Sequence, residues 1–214
     1  MVRRSKPTQQ PAVKVFVEGG GDYGDLRAEC RQGFSTFIAR AGLAGHMPRV
    51  VACGSRRSAY EDFCTALKNP EPDTTYLLFV DSEAPINHGD SKWAHLSVRE
   101  GDKWACPPDA DEASVFLMVE AMESWLLADK KTLTEYYGQG FQESALPTRT
   151  NVEDISKAEL NRSLKRATSK TQKGEYNKGS HSFQLISKLD PQLIISASPH
   201  AADFIQRLRL LFNC

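Results

Sequence analysis

Val13-Lys14-Val15-Phe16-Val17-Glu18 and Tyr76-Leu77-Leu78-Phe79-Val80-Asp81-Ser82-Glu83 decide how this chain folds. Each is a short β-branched and aromatic run that ends in carboxylates, the pattern of a buried strand with an acidic C-terminal end. Between them, Leu26, Cys30, Phe34, Phe37, Ile38 and Ala41 recur at helical spacing. Arg49 to Cys53 reads as a second strand and Ser58 to Leu67 as a second helix. The order βαβαβ is the unit of a mostly parallel α/β sheet, whose ligands bind at the C-terminal ends of the strands. If the first and third strands are neighbours, Glu18, Asp81 and Glu83 converge. Such a cluster is unfavourable at neutral pH unless protons or a cation neutralise it, and a hard divalent ion suits an all-carboxylate set. The reading requires Glu18 to meet Asp81 with no lysine or arginine filling the gap between them.

Beyond Glu83 the pattern loosens. Ala84 to Ala110 is rich in Pro and Gly, with Trp93 to Val98 readable as a short strand or an excursion near the site, and loops of that length are usually functional or mobile. Val115 to Val119 fits a fourth strand or a helix. Glu120 to Asp129 has helical spacing, a further helix runs from Asp129 to Tyr137, and the tail reads as helices over Ser156 to Ala167, Ser182 to Leu189 and Pro199 to Phe212. The expected organisation is a flexible basic arm over 1–11, an α/β domain over 12–145 and a helical C-terminal appendage over 146–214, folded back on the sheet edge.

The 214 residues suffice for a real core. Lys plus Arg balances Asp plus Glu at 27 each, so only the distribution of charge is informative. Asp81 to Glu143 holds thirteen acidic residues against five basic ones, a net of −8, whereas Ser156 to Lys178 holds seven basic against two acidic, a net of +5. That split fits an acidic metal-binding half and a basic half whose Lys157, Arg162, Lys165, Arg166, Lys170 and Lys173 hold a nucleic-acid backbone; a merely solvated helix face gives the same pattern. Five cysteines without zinc spacing indicate reduced thiols and a cytoplasmic protein. No run approaches a membrane span, and the N-terminal segment lacks the apolar stretch of a signal peptide.

Other phosphate-handling motifs fail on their details. Gly19-Gly20-Gly21 lacks both the GxGxxG phase and the Gly-Lys-Ser/Thr ending of a P-loop. A haloacid-dehalogenase nucleophile motif needs Asp and Thr where Glu83 and Pro85 stand.

Glu18-Gly19-Gly20-Gly21-Asp22 and Asp81-Ser82-Glu83 together resemble the Toprim domain of topoisomerases, bacterial primases and overcoming-lysogenization-defect (OLD) nucleases, with Glu83 in place of the usual Asp. The blocks Met118 to Asp129, Tyr176 to His181, Leu189-Asp190-Pro191 and Ser198-Pro199-His200-Ala201 look like those of a narrower Toprim-related bacterial family that carries a domain-of-unknown-function label. The resemblance implies a Toprim-like α/β fold and a Mg²⁺- or Mn²⁺-dependent endonuclease, with one or two ions held by Glu18, Asp22, Asp81, Glu83 and Glu123. Glu18 would also activate water, and Lys178 and His181 would offer a cation and a proton donor to the leaving oxygen. Nothing in the sequence chooses between Glu120 and Glu123 as the further acidic ligand, or between DNA and RNA. The same resemblance implies an antiviral or toxin-like effector with an SMC/OLD-type ATPase partner, and leaves a homodimer open. A non-catalytic docking module on the same scaffold and a small-molecule phosphohydrolase are the competing expectations.

Overall fold

The computed structural model describes residues 11–179 and 181–214; the expected basic arm lies outside the described residues apart from Pro11. Among the described residues four parallel strands, β1 (Ala12–Gly20), β2 (Arg49–Gly54), β3 (Thr74–Asp81) and β4 (Val115–Met118), form one sheet in the order β2-β1-β3-β4. The chain is therefore an α/β protein with a parallel sheet flanked by helices. As parallel strands covered on both faces must be, these are apolar almost throughout. Val13, Val15 and Val17 with Leu77 and Phe79 face one layer, while Phe16 with Tyr76, Leu78 and Val80 faces the other.

The second face is closed by α2 (Arg56–Lys68) and α3 (Lys92–Val98), which bring Phe63, Trp93 and Leu96 against the sheet. Ser55 starts α2 as its N-cap by accepting the Ser58 N–H at 3.0 Å. The stretch expected as a short strand or excursion, Trp93 to Val98, is thus helical. Ser91 caps it, and Glu112 accepts the Ser91 hydroxyl and the Lys92 N–H, contacts no local pattern announces.

The first face is covered by α1 (Gly24–Ile38), α4 (Ser124–Ala128), α5 (Lys130–Tyr137), α6 (Lys157–Thr168), α7 (Ser182–Ile186), α8 (Pro191–Ala197) and α9 (Pro199–Phe212). Phe204 of α9 stacks on Phe79 with ring centroids 4.1 Å apart and meets Phe116 edge-on, so the C-terminal helices share one core with the sheet. Val115 to Met118 resolves as a strand, since it pairs in register with Leu78 to Asp81. Glu120 to Glu123 is not the first turn of the expected long helix but a turn that redirects the chain at the strand ends. α8 was not expected, and α7 is shorter than the periodicity predicts.

β1 does not stop at Val17. It runs to Gly20, where Gly19 and Gly20 both pair with Gly54. A side chain on Gly54 would meet the Gly21 carbonyl at 2.4 Å, and its φ of +84° is itself a glycine conformation. Glycine therefore lets two strand ends close up beside the carboxylates.

Candidate metal centre

The strand register assembles the acidic residues. Val17 pairs with Phe79, so Glu18, still within β1, lies level with the end of β3, and its Oε2 accepts the Asp81 N–H at 3.3 Å. Asp81 is the last residue of β3. Its side chain is 3% exposed, and its Oδ1 accepts the Met122 N–H at 2.8 Å, which ties β3 to the turn after β4. Two residues on, Glu83 has a left-handed backbone, φ +62°, held by Ser82 N–H to the Met118 carbonyl (2.9 Å) and Glu83 N–H to the Glu120 carbonyl (2.8 Å). This bend turns Glu83 back toward the strand ends, and carboxylate oxygens of Glu18, Asp81 and Glu83 all lie within 4.8 Å of one another. An all-oxygen donor set of that size suits a hard divalent cation.

Basic residues also stand at the cluster, where the sequence reading allowed none between Glu18 and Asp81. Arg56, the first residue of α2, reaches Glu18 Oε2 at 3.4 Å and donates to the main-chain carbonyl of Asp81. Lys178 bridges the carboxylates of Asp81 (3.2 Å) and Glu123 (3.5 Å), and Lys157 pairs with Glu83. The condition that no lysine or arginine stand between Glu18 and Asp81 is therefore not met in full: Arg56 sits against Glu18 and the Asp81 main chain, although the carboxylates themselves remain within 4.8 Å of one another, and the protein's own cations offset part of their charge. Burial, then Asp81, pushes the Glu18 carboxyl up to about 7 against the pull of Arg56 and Lys178. Burial would also raise Glu83, but its hydrogen bond and charge contact with Lys157 outweigh this and hold it low. Burial would lower Lys178, and the surrounding carboxylates, Asp81 first, raise it instead.

The structure separates the two acidic alternatives. Glu123 is buried, accepts the Tyr176 hydroxyl at 3.1 Å and shares Lys178 with Asp81. Burial, then Asp81 against the opposing Lys178, raises its carboxyl. Glu120 is turned to the start of α6, where it accepts the Lys157 N–H at 2.9 Å. Asp22 does not join the centre: its side chain is fully exposed and its ion-pair partner is Arg27 at 3.9 Å. His181 is also displaced from its expected role. Its Nδ1 accepts from the Tyr137 hydroxyl (3.0 Å) and the Asn177 N–H (3.3 Å), which braces the loop carrying Lys178, and burial followed by Lys173 lowers its basicity.

The expected nucleic-acid contacts are divided as well. Lys157 is engaged by Glu83; Arg162, Lys165, Arg166, Lys170 and Lys173 are all exposed, of which Arg166 donates to the Ala145 carbonyl at 3.0 Å and Lys173 lies 4.8 Å over the Tyr136 ring.

Sequence reasoning missed Arg56 and its support. Asp102, 2% exposed, accepts Arg56 Nε at 2.9 Å and Nη2 at 2.8 Å; Arg99 adds a bond of 2.6 Å, and Trp104 lies 4.8 Å from the guanidinium. The available signal was an arginine in the first turn of a helix, where the dipole disfavours a cation, immediately after a strand end.

Among the described residues no helix is long and apolar enough to cross a membrane. Neither the curated proteins nor the solved structures include a match to this chain. A family model described as "Domain of unknown function (DUF4276)" matches residues 17–209, from the second half of β1 through most of α9. The chain therefore belongs to the DUF4276 family.

Proposed function

We propose that this protein is a Toprim-related, metal-dependent nuclease that cleaves phosphodiester bonds of DNA or RNA. The observation that carries the reading is the convergence of Glu18, Asp81 and Glu83 within 4.8 Å at the C-terminal edge of a parallel sheet. These three would hold Mg²⁺ or Mn²⁺, and Asp81 with Glu123 offers carboxylates for a second ion. When bound, such ions polarise a phosphate oxygen and lower the pKa of water. Glu18, level with the end of β3 beside Asp81, accepts a proton from water. Arg56, braced by Asp102, and the more exposed Lys178 offset charge on the phosphate and the leaving oxygen. Exposed Arg162, Lys165 and Lys170 contact the backbone without reading sequence. The proposed setting is cytoplasmic, as the effector of an antiviral or toxin-like system under an SMC/OLD-type ATPase.

The test combines Mn²⁺ titration calorimetry with cleavage of labelled DNA and RNA. Wild-type protein binds Mn²⁺ and cuts, and Glu18→Gln or Asp81→Asn each lowers cleavage by about a hundredfold or more. Wild-type rates in both variants would refute the reading.

One observation favours a second reading, a docking module without catalysis. Arg56, Lys157 and Lys178 supply the carboxylates with basic partners from the chain itself. That reading expects no Mn²⁺ heat at the strand edge.

A further inference from the structure

Beside Glu18 and Asp81 lies a cavity of about 300 Å³ whose remaining walls are largely apolar. Leu26, Met122 and Phe183 line it, Lys178 stands with the carboxylates, and Tyr23 contributes from the start of α1. Gly21 adds no bulk: a side chain there would project into open space. Tyr23 is 73% exposed and occupies the N-cap of α1 without capping it by its side chain. A Ser, Asp or Asn at that position would stabilise the helix, so an exposed aromatic there brings no benefit to folding. Its value lies in a flat face beside a recess that ends at the candidate metal centre.

We propose that this recess receives one unpaired nucleotide adjoining the phosphate held at the carboxylates, so that the substrate is a single strand or an unpaired segment. The inference rests on the nuclease reading and narrows it. A base inside a duplex is stacked on both faces and paired along its edge, and it cannot enter a recess so close to the cluster that holds its own phosphate. An unpaired base turns out freely, stacks on an aromatic ring and buries its faces against apolar side chains. The volume, at the low end for small-ligand pockets, matches one nucleotide better than a longer segment. A larger cleft of about 890 Å³, lined by His88, His95 and Glu120, touches none of Glu18, Asp81 and Glu83 and offers no such pairing of apolar wall with phosphate chemistry.

The test is fluorescence anisotropy with the full chain in Ca²⁺, using a short labelled single strand and the same sequence as a blunt duplex, each as DNA and as RNA. The single strand is expected to bind about tenfold or more tightly than the duplex. Tyr23→Ala weakens single-strand binding about tenfold, leaves duplex binding unchanged, and is rescued by Tyr23→Phe. Because Tyr23 is exposed, the variant folds. Equal affinity for the two forms, binding to neither, or an indifferent Tyr23→Ala overturns the inference. The nuclease reading fails by a different result, the absence of Mn²⁺-dependent cleavage on either form, and a surviving single-strand preference would then leave the recess assigned to binding alone.

Discussion

Asp102 grips Arg56 through both carboxylate oxygens, at 2.9 and 2.8 Å, and that fork leaves the remaining guanidinium nitrogen 3.4 Å from Glu18. Bidentate pairing of this kind fixes direction as well as distance. Both side chains are largely buried, 12% and 2% exposed, so neither is spared by solvent when the other is lost.

Removing one partner therefore leaves an uncompensated buried charge. Asp102→Ala is expected to cost about 3 kcal/mol in denaturant unfolding, whereas Arg56→Met combined with Asp102→Leu costs less than the two single changes added together. Additive losses would show that the fork is energetically unimportant.

Lys178 differs from Arg56 in being 55% exposed, so its side chain can swing away while Arg56 stays. It occupies the space between Asp81 and Glu123 that a second ion would use. Lys178→Met is expected to bind Mn²⁺ about tenfold more tightly than wild type and yet to cleave more slowly. Calorimetry and cleavage rates on the same preparation check this, and an unchanged or weaker Mn²⁺ affinity contradicts the placement.

Glu83 holds its carboxylate in place at the expense of a left-handed backbone that disfavours any side chain but glycine, by about 1 kcal/mol. Its pair with Lys157 is partly exposed and contributes less than about 1 kcal/mol. Glu83→Gly is accordingly expected to keep wild-type stability or gain up to about 1 kcal/mol while losing Mn²⁺ binding. A marked drop in melting temperature would show that the bend is not strained.

Glu153 accepts the Ser198 hydroxyl at 2.5 Å and His200 Nδ1 at 2.7 Å, anchoring the start of α9. Burial alone would raise its carboxyl, but the hydrogen bonds from His200 and Ser198 hold it below the ordinary 4.5. A depressed carboxyl contributes stability that is complete above pH 4.5 and is lost as pH falls through its folded value. Glu153→Gln should therefore be less stable than wild type at pH 7 and show a shallower acid branch in thermal melts between pH 5 and about 3. Parallel acid branches would remove Glu153 from the account.

Much of the architecture was written locally. Val13 to Val17, Arg49 to Cys53 and Tyr76 to Val80 each satisfy a strand from consecutive residues alone, and all three lie in one parallel sheet. Where local pattern was ambiguous, distant partners decided: Val115 to Met118 became a strand because β3 offers it a hydrogen-bonding edge, and Trp93 to Val98 a helix because Ser91 and Glu112 complete its first turn.

What the sequence determined by itself was the α/β order and the placing of Glu18, Asp81 and Glu83 at strand ends, because side-chain alternation and backbone hydrogen bonding act over neighbouring residues. What only the tertiary structure decided was their company. Glu123 and not Glu120 faces the centre, Asp22 and His181 point elsewhere, and Arg56 arrives with Asp102 from 46 positions away. Charge pairing acts through space, and in a sequence nothing marks which distant lysine or arginine the fold will bring within 4 Å of a carboxylate.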